Sequence, residues 1–584
     1  MPCCALSTTL SSADPPIETT PDTTPAAPAE GNPRDVAAAT AAVRVVQALE
    51  RLGVTVVFGL PGVHNLAIWK ALSESEILLI GVRHEQAAVY AADGYARATG
   101  RLGVAVVTTG PGAANTLGAT GEAMASGSPV LVIATDIPSS IRRPDTYRGS
   151  LHETRDQTAM FTPVTKAATL VRTAAEVGEA VIAGAHMALA APSGPVYLGV
   201  PTDLLRMPAP ALPAQLRAAP GPAAFDGHGL TDAAALIAAA RRPLIWAGGG
   251  ALRADAGEAV GALAEKLCAP IITTYMSRGV VSPDHPWVVA GPVHAPEVGA
   301  LWDEADLVVG IGTDFDGIMT QNWLMPQPPR LVCINVDRTE ANKNYAADVT
   351  LVGDAREVTE RLVAAVAARD DAESVLARLE QVRAEVAAAV LADDADAAGF
   401  LAVMDRALPP DAVVVADMCI PGYWLAGYRR VPRPRALAYP MGWGTLGFAF
   451  PASLGAALAG AGPAVCVCGD GGFLFACGEL ATVAEQQLPL TVVLVDDGGY
   501  GMLRFDQELA GDEPFGVDLV GPDFAALARS FGIGASTVRG FGADFEATLR
   551  HSVTTPAPSL IVVKARLRPP VTTSPRWYRR GGGR

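Results

Sequence analysis

Residues Gly469 to Met502 read GDGGFLFACGELATVAEQQLPLTVVLVDDGGYGM. An apolar run, AVCVCG, feeds into this stretch and delivers Asp470 into a glycine turn. A helical span follows, and then a second apolar run, TVVLV, ends at Asp496 and Asp497 ahead of Gly498 and Gly499. Short β-branched runs of this kind predict strands buried on both faces, as in parallel sheets covered by helices. Adjacent parallel strands bring Asp470 and Asp497 to one sheet edge. Gly471 and Gly472 allow close backbone approach, and helix N-terminal N–H groups favour an anion there. Two hard carboxylates beside an anion site suit Mg²⁺ bridging a diphosphate. On the residues alone, two solvated strand-end turns is an equally good reading.

The same rhythm of apolar run, glycine turn and Ala-rich helix extends in both directions. It predicts an α/β protein of three doubly wound parallel-sheet domains, at 36–206, 225–368 and 398–566. An Ala/Pro-rich linker (Met207–Ala224) and a charged helical stretch (Arg369–Ala398) separate them. Residues 1–35, rich in Pro, Thr and Ala, read as a disordered tail without a secretory signal. Residues 567–584 form a C-terminal tail whose PPVTTSPRWYRR is a lid or a loose end. The span Ala436–Gly469 has no charged residue, but Pro440, Pro451 and Pro463 break it too often for a membrane helix. It reads instead as a loop, a buried helix (Ala449–Ala461) and a buried strand.

Composition agrees. The 584 residues hold 44 Lys plus Arg against 60 Asp plus Glu, a net charge of −16 that counts against nucleic acid or an anionic membrane as partner. Only 18 % of residues are charged, against about 25 % typically, and there are 59 glycines. The eight cysteines contain no C-x-x-C pair, as expected of small buried hydrophobes in a reduced, cytoplasmic protein.

Three further stretches carry chemistry. In VRHEQAAVYAADGYARATG, Glu85 follows an apolar strand and opens an Ala-rich helix; it is a surface carboxylate or a buried one. YPMGWGTLGFAFPASLGAA (Tyr439–Ala457) is a Gly-rich helix entry containing Gly444 and Leu446. GLPGVHNL places His64 on the loop after the first strand, and RGSLHETRDQ carries His152 and Glu153. These are catalytic candidates, or loop side chains satisfied by backbone contacts.

Together these motifs, with TTGPGAANTLGATGEAMASGSPVLV (Thr108–Val132), resemble the thiamine diphosphate-dependent enzymes, in the acetolactate synthase-like and 2-oxo acid decarboxylase branch. The resemblance spans about residues 36 to 575. It names the three domains pyrimidine-binding, central and diphosphate/Mg-binding. It implies that Asp470 and Asp497 hold Mg²⁺ by side chain and Gly499 by its carbonyl, although the family usually has Asn where Asp497 stands. Gly469, Gly471, Gly472, Tyr500, Gly501 and Met502 fall at cofactor-binding positions. Glu85 would hydrogen-bond the thiamine ring; in a dry pocket its pKa would rise and let it share a proton with the ring. Gly444 would offer its carbonyl to the aminopyrimidine, and Leu446 would bend the cofactor. The resemblance implies decarboxylation of a 2-oxo acid, then protonation of the enamine or its carboligation to an aldehyde or oxo acid acceptor. It also implies a homodimer or homotetramer with Glu85 and the Mg²⁺ site from different subunits.

Departures bear on the branch. Asp314 stands where acetolactate synthases carry an arginine for the second oxo acid, and Asp506 where they carry a Trp that selects the acceptor. GPVHAPEV replaces a flavin contact, which counts against FAD. Thr108 and Thr109 occupy the place of a His pair in other decarboxylases. His64 with His152 and Glu153 looks like decarboxylases of larger, guanidino-type 2-oxo acids, with His64 as the proton donor. Acetolactate synthase proper and a flavin-dependent 2-oxo acid oxidase are the alternatives.

Overall fold

A computed structural model describes residues 39–573, apart from 144, 145, 217, 219 and 220. The expected N-terminal tail lies outside the described residues, as does the C-terminal tail beyond Thr573.

The first α/β unit contains β1 (Val56–Gly59), β2 (Leu78–Gly81), β3 (Gly103–Val107), β4 (Val130–Asp136), β5 (Ala167–Leu170) and β6 (Val196–Pro201). The second contains β7 (Pro243–Ala247), β8 (Ile271–Thr273), β9 (Leu307–Ile311), β10 (Leu331–Asn335) and β11 (Val349–Val352). The third contains β12 (Val413–Ala416), β13 (Leu437–Ala438), β14 (Ala464–Gly469), β15 (Leu490–Asp496), β16 (Gly534–Arg539) and β17 (Ser559–Lys564). Strand orders are β2-β1-β3-β4-β6-β5, β11-β10-β9-β7-β8 and β13-β12-β14-β15-β17-β16, and all pairings within these sheets are parallel. The inner strands β1, β3, β4, β6, β7 and β9 are buried at every position because helices cover both faces.

Four strands have no uninterrupted apolar run in the sequence: β5 (AATL), β11 (VTLV), β13 (LA) and β16 (GASTVR). All four lie at sheet edges, where one side faces solvent or a loop and burial asks less of the side chains. The uncharged span Ala436–Gly469 folds as β13, a turn, the helix Ala449–Ala457 and β14. Among the described residues no helix is long and apolar enough to cross a membrane. The charged stretch after the second unit is the helix Ala372–Asp393; the next helix, Ala395–Ala407, buries Phe400 against Phe541 and Phe545 of the third unit.

The first and third units pack through two helices, Glu85–Thr99 and Ala449–Ala457. They cross at Gly94 and Gly455, where any Cβ would overlap the backbone of Ala452 or Ala91. A single apolar core joins both units, running from Val82 and Ala88 to Phe448, Phe450 and Phe473.

Candidate active site

At the C-terminal end of β14, Asp470 starts a short helix and is buried. Its neighbour across the edge is Asp497, just beyond β15, close enough for each carboxyl group to perturb the other. Asp470 Oδ1 is buried and has no hydrogen-bond partner. Burial first, and then the charge of Asp497, push the Asp470 carboxyl up to about 7. Burial raises Asp497 as well, against the pull of Arg504 and Arg566. A buried carboxylate with an unsatisfied oxygen beside a half-buried second carboxylate is a poor end state for a folded protein and a good one for a divalent cation. Among the described residues no group of three or more His, Cys, Asp or Glu side chains gathers into a metal cluster.

The glycines around the pair form a cradle. Gly499 sits at φ +153° and bridges Asp518, and a Cβ at Gly501 would overlap the Asp497 carboxylate. A Cβ at Gly471 would come within 2.7 Å of the Tyr500 ring. Arg504 is buried and pairs with Asp518 at 2.6 Å, while also donating to the Gly498 carbonyl. A cavity of about 220 Å³ opens over this cradle, lined by Gly469, Gly471, Gly472, Asp497, Gly499, Tyr500, Gly501, Met502 and Leu446 among others. The fit to a diphosphate and its cation therefore rests on the unsatisfied Asp470 oxygen and a cradle that side chains would fill.

Leu446 reaches the cavity because Asp417, at the end of β12, pins the turn behind it. The Asp417 carboxylate accepts from the N–H of Gly447 (3.0 Å) and Phe448 (3.2 Å). Asp417 is fully buried, which pushes it up to about 6. Sequence reasoning passed over it; its place after the AVVVA strand was the available signal. Gly444 precedes this turn at φ +69°, a conformation that favours glycine.

The other candidates gather at the matching edge of the first unit. Glu85 is buried and its Oε2 accepts from Asn115 Nδ2 at 3.0 Å. Gly112 lies against both the Glu85 carboxylate and the Thr108 methyl group. His64 and His152 meet edge-on with ring centroids 5.2 Å apart. Each has an Nδ1 that is buried and unpartnered, as are the hydroxyls of Thr108 and Thr154. Burial first, then His152, hold the His64 ring below its ordinary pKa. His152 adopts φ +65°, and its carbonyl fills the space a side chain at Gly110 would need. Gln157, missed in the sequence, holds this loop: it accepts from Gly110 N–H (2.7 Å) and donates to Thr135 and Tyr197. Glu153 differs from its neighbours. Its carboxylate accepts from the N–H groups of Arg148 and Ser150, bracing its own loop.

Two buried glutamates tie the edges together. Glu479 accepts from the N–H groups of Arg83 (2.9 Å) and His84 (3.1 Å), just before Glu85. Glu122 accepts from Trp443 N–H (3.0 Å) and Thr445, just before Leu446. Of the C-terminal stretch read as a lid or a loose end, residues up to Thr573 are described. Leu567 borders the cavity, and Val571–Thr573 turns away to dock on Asp393.

A second cavity of about 890 Å³ lies between the first and central units, at the ends of β7, β9 and β10. Asp314 borders it and pairs with Lys343 at 2.7 Å. His294, from the GPVHAPEV stretch, is buried and meets the Met319 carbonyl.

Three domain models of one family match in chain order: thiamine pyrophosphate enzyme, N-terminal TPP binding domain (39–160), central domain (230–362) and C-terminal TPP binding domain (418–563). The chain belongs to the thiamine pyrophosphate enzyme family. Relatives within it include the Pseudomonas aeruginosa protein named "Probable 2-ketoarginine decarboxylase AruI", 38 % identical over 84 % of this chain and 88 % of that one. Another is a "Probable acetolactate synthase large subunit" of Methanocaldococcus jannaschii, 32 % identical over 85 % and 86 %. An X-ray structure of a "putative thiamin diphosphate-dependent enzyme" from Mycobacterium smegmatis superposes with a TM-score of 0.75 at 25 % identity, covering 91 % of this chain and all of that one.

Proposed function

We propose that this member of the thiamine pyrophosphate family is a Mg²⁺-dependent decarboxylase of a 2-oxo acid with a cationic side chain. The observation that carries the cofactor site is the buried Asp470 carboxyl, with its unsatisfied oxygen, beside the half-buried Asp497. The substrate class rests on the similarity to a protein named for 2-ketoarginine.

In this reading Asp470 and Asp497 hold Mg²⁺ by side chain and Gly499 by its carbonyl. The cradle from Gly469 to Gly472, with Tyr500, Gly501 and Met502, receives the diphosphate, and Leu446 and Gly444 support the thiamine rings. Bound thiamine diphosphate supplies an electron sink for the charge left by loss of CO₂. Glu85 holds and returns a proton at the aminopyrimidine ring; its Asn115 contact fixes which carboxylate oxygen is free. His64, kept neutral near pH 7 by burial and by His152, orients water or the substrate and relays the product proton. Glu153 braces the His152 loop rather than touching substrate.

A homodimer completes the site in this proposal. A cavity of about 220 Å³ is smaller than the roughly 300–1,000 Å³ usual for ligand pockets, and no residue of the first unit lines it. Around it Leu503, Leu509, Phe515 and Val520 are exposed, and so are Val63, Leu66 and Leu151 beside His64 and His152. Apolar surface left open at both half-sites supports closure by a second copy. The six described cysteines are free, in keeping with a cytoplasmic setting.

The second reading is carboligation, favoured by the similarity to acetolactate synthases. Purified protein loaded with thiamine diphosphate and Mg²⁺ should release CO₂ from 5-guanidino-2-oxopentanoate and yield the corresponding aldehyde. Acetolactate formed from pyruvate, with no turnover of the guanidino acid, would replace the first reading with the second.

A further inference from the structure

The helix Gly501–Ala510 begins in the cavity, where Gly501, Met502 and Leu503 form part of its wall. Asp506 lies four residues after Met502 and three after Leu503, so it stands on the same helix face one turn further out. It makes no hydrogen bond or ion pair among the described residues. The nearby cation, Arg504, is already committed to Asp518. Asp506 is exposed, and slight desolvation by its surroundings raises its carboxyl from the ordinary value. Its charge is felt inside the cavity, at the phenol of Tyr423, a wall residue. Between the glycine cradle and Asp506 the lining is apolar: Ile420, Leu446, Met502, Leu503 and Leu567.

We infer that Asp506 is the specificity-determining residue for the cationic end of the substrate, binding a guanidinium or ammonium group at the mouth of the site. The inference rests on the proposed 2-oxo acid decarboxylase reading and adds the residue that selects among such acids. The methylenes would lie on the apolar lining, and the carboxylate end would be turned away from Asp506 by like charge. A guanidinium can meet the carboxylate in a bidentate pair.

The test compares 5-guanidino-2-oxopentanoate with 5-ureido-2-oxopentanoate, its neutral near-isostere, on the holoenzyme. Wild type should favour the guanidino acid. In Asp506→Asn the ratio of the two kcat/KM values should fall about 10- to 100-fold, the loss appearing in KM for the guanidino acid. Asp506→Glu, which keeps the charge, should recover much of that ratio. If wild type discriminates and Asp506→Asn discriminates equally well, the assignment of Asp506 is overturned and the function stands. A wild type that takes both acids equally overturns the cationic-substrate reading itself.

Discussion

The first and third α/β units share one strand order, β2-β1-β3-β4-β6-β5 repeated as β13-β12-β14-β15-β17-β16, yet they carry opposite chemistry. The corresponding strands β3 and β14 both end in a glycine turn. After β3 come the neutral Thr108 and Thr109; after β14 comes Asp470. Each unit sends a buried glutamate across to brace the other's helix entry, Glu122 to Trp443 and Thr445, and Glu479 to Arg83 and His84. The scaffold is thus used twice, with the paired carboxylates on one copy only and the lone carboxylate and imidazoles on the other.

The comparison breaks most completely at Asp470. Asp470→Ala removes the charge that distinguishes the third unit, and Mg²⁺-dependent binding of thiamine diphosphate should be lost, with activity down by about 10³-fold or more; isothermal calorimetry checks it. Unchanged cofactor affinity would show that the Asp pair is not the cation site. Next comes Glu85→Gln, which makes the first unit's edge neutral. Turnover should fall about 10²–10⁴-fold while the cofactor still binds, since proton handling rather than affinity is removed; full activity would refute that role.

The smallest effect concerns the imidazole pair. His64 is held below its ordinary value by burial and by His152. A histidine with a depressed folded pKa contributes stability that is present above its unfolded pKa, near 6.5, and is lost as pH falls. His152→Ala removes the like-charge contribution, so the His64 midpoint should rise and the acid-side loss of stability should shrink. NMR titration of the ring protons measures this. A midpoint that falls would mean His152 stabilises the charged ring instead.

Some of this architecture was open to reading along the chain, because the physical signal was local. Inner strands must be apolar on both faces, so GVAVV, LVVGI and TVVLV announce themselves. The edge strands β5, β11, β13 and β16 do not, since half-exposed positions tolerate Thr, Ser and Gly. At the site, Asp470, Asp497 and the glycines stand out because their spacing follows strand and turn geometry. Asn115 and Gln157 were invisible, each acting through a contact with a residue distant in sequence that no local pattern encodes, whereas Asp417 had only its place at a strand end to mark it.

By itself the sequence determined the parallel α/β layering, the strand ends that carry acidic residues and the glycine turns beside them, all of which depend on the covalent order of neighbours. Only the tertiary structure decided that Asp470 and Asp497 lie close enough to perturb each other, and that Glu153 serves its own loop while Glu85 pairs with Asn115. Those outcomes depend on which groups are left without a partner once the units pack, and burial makes an unpaired charge costly enough to matter.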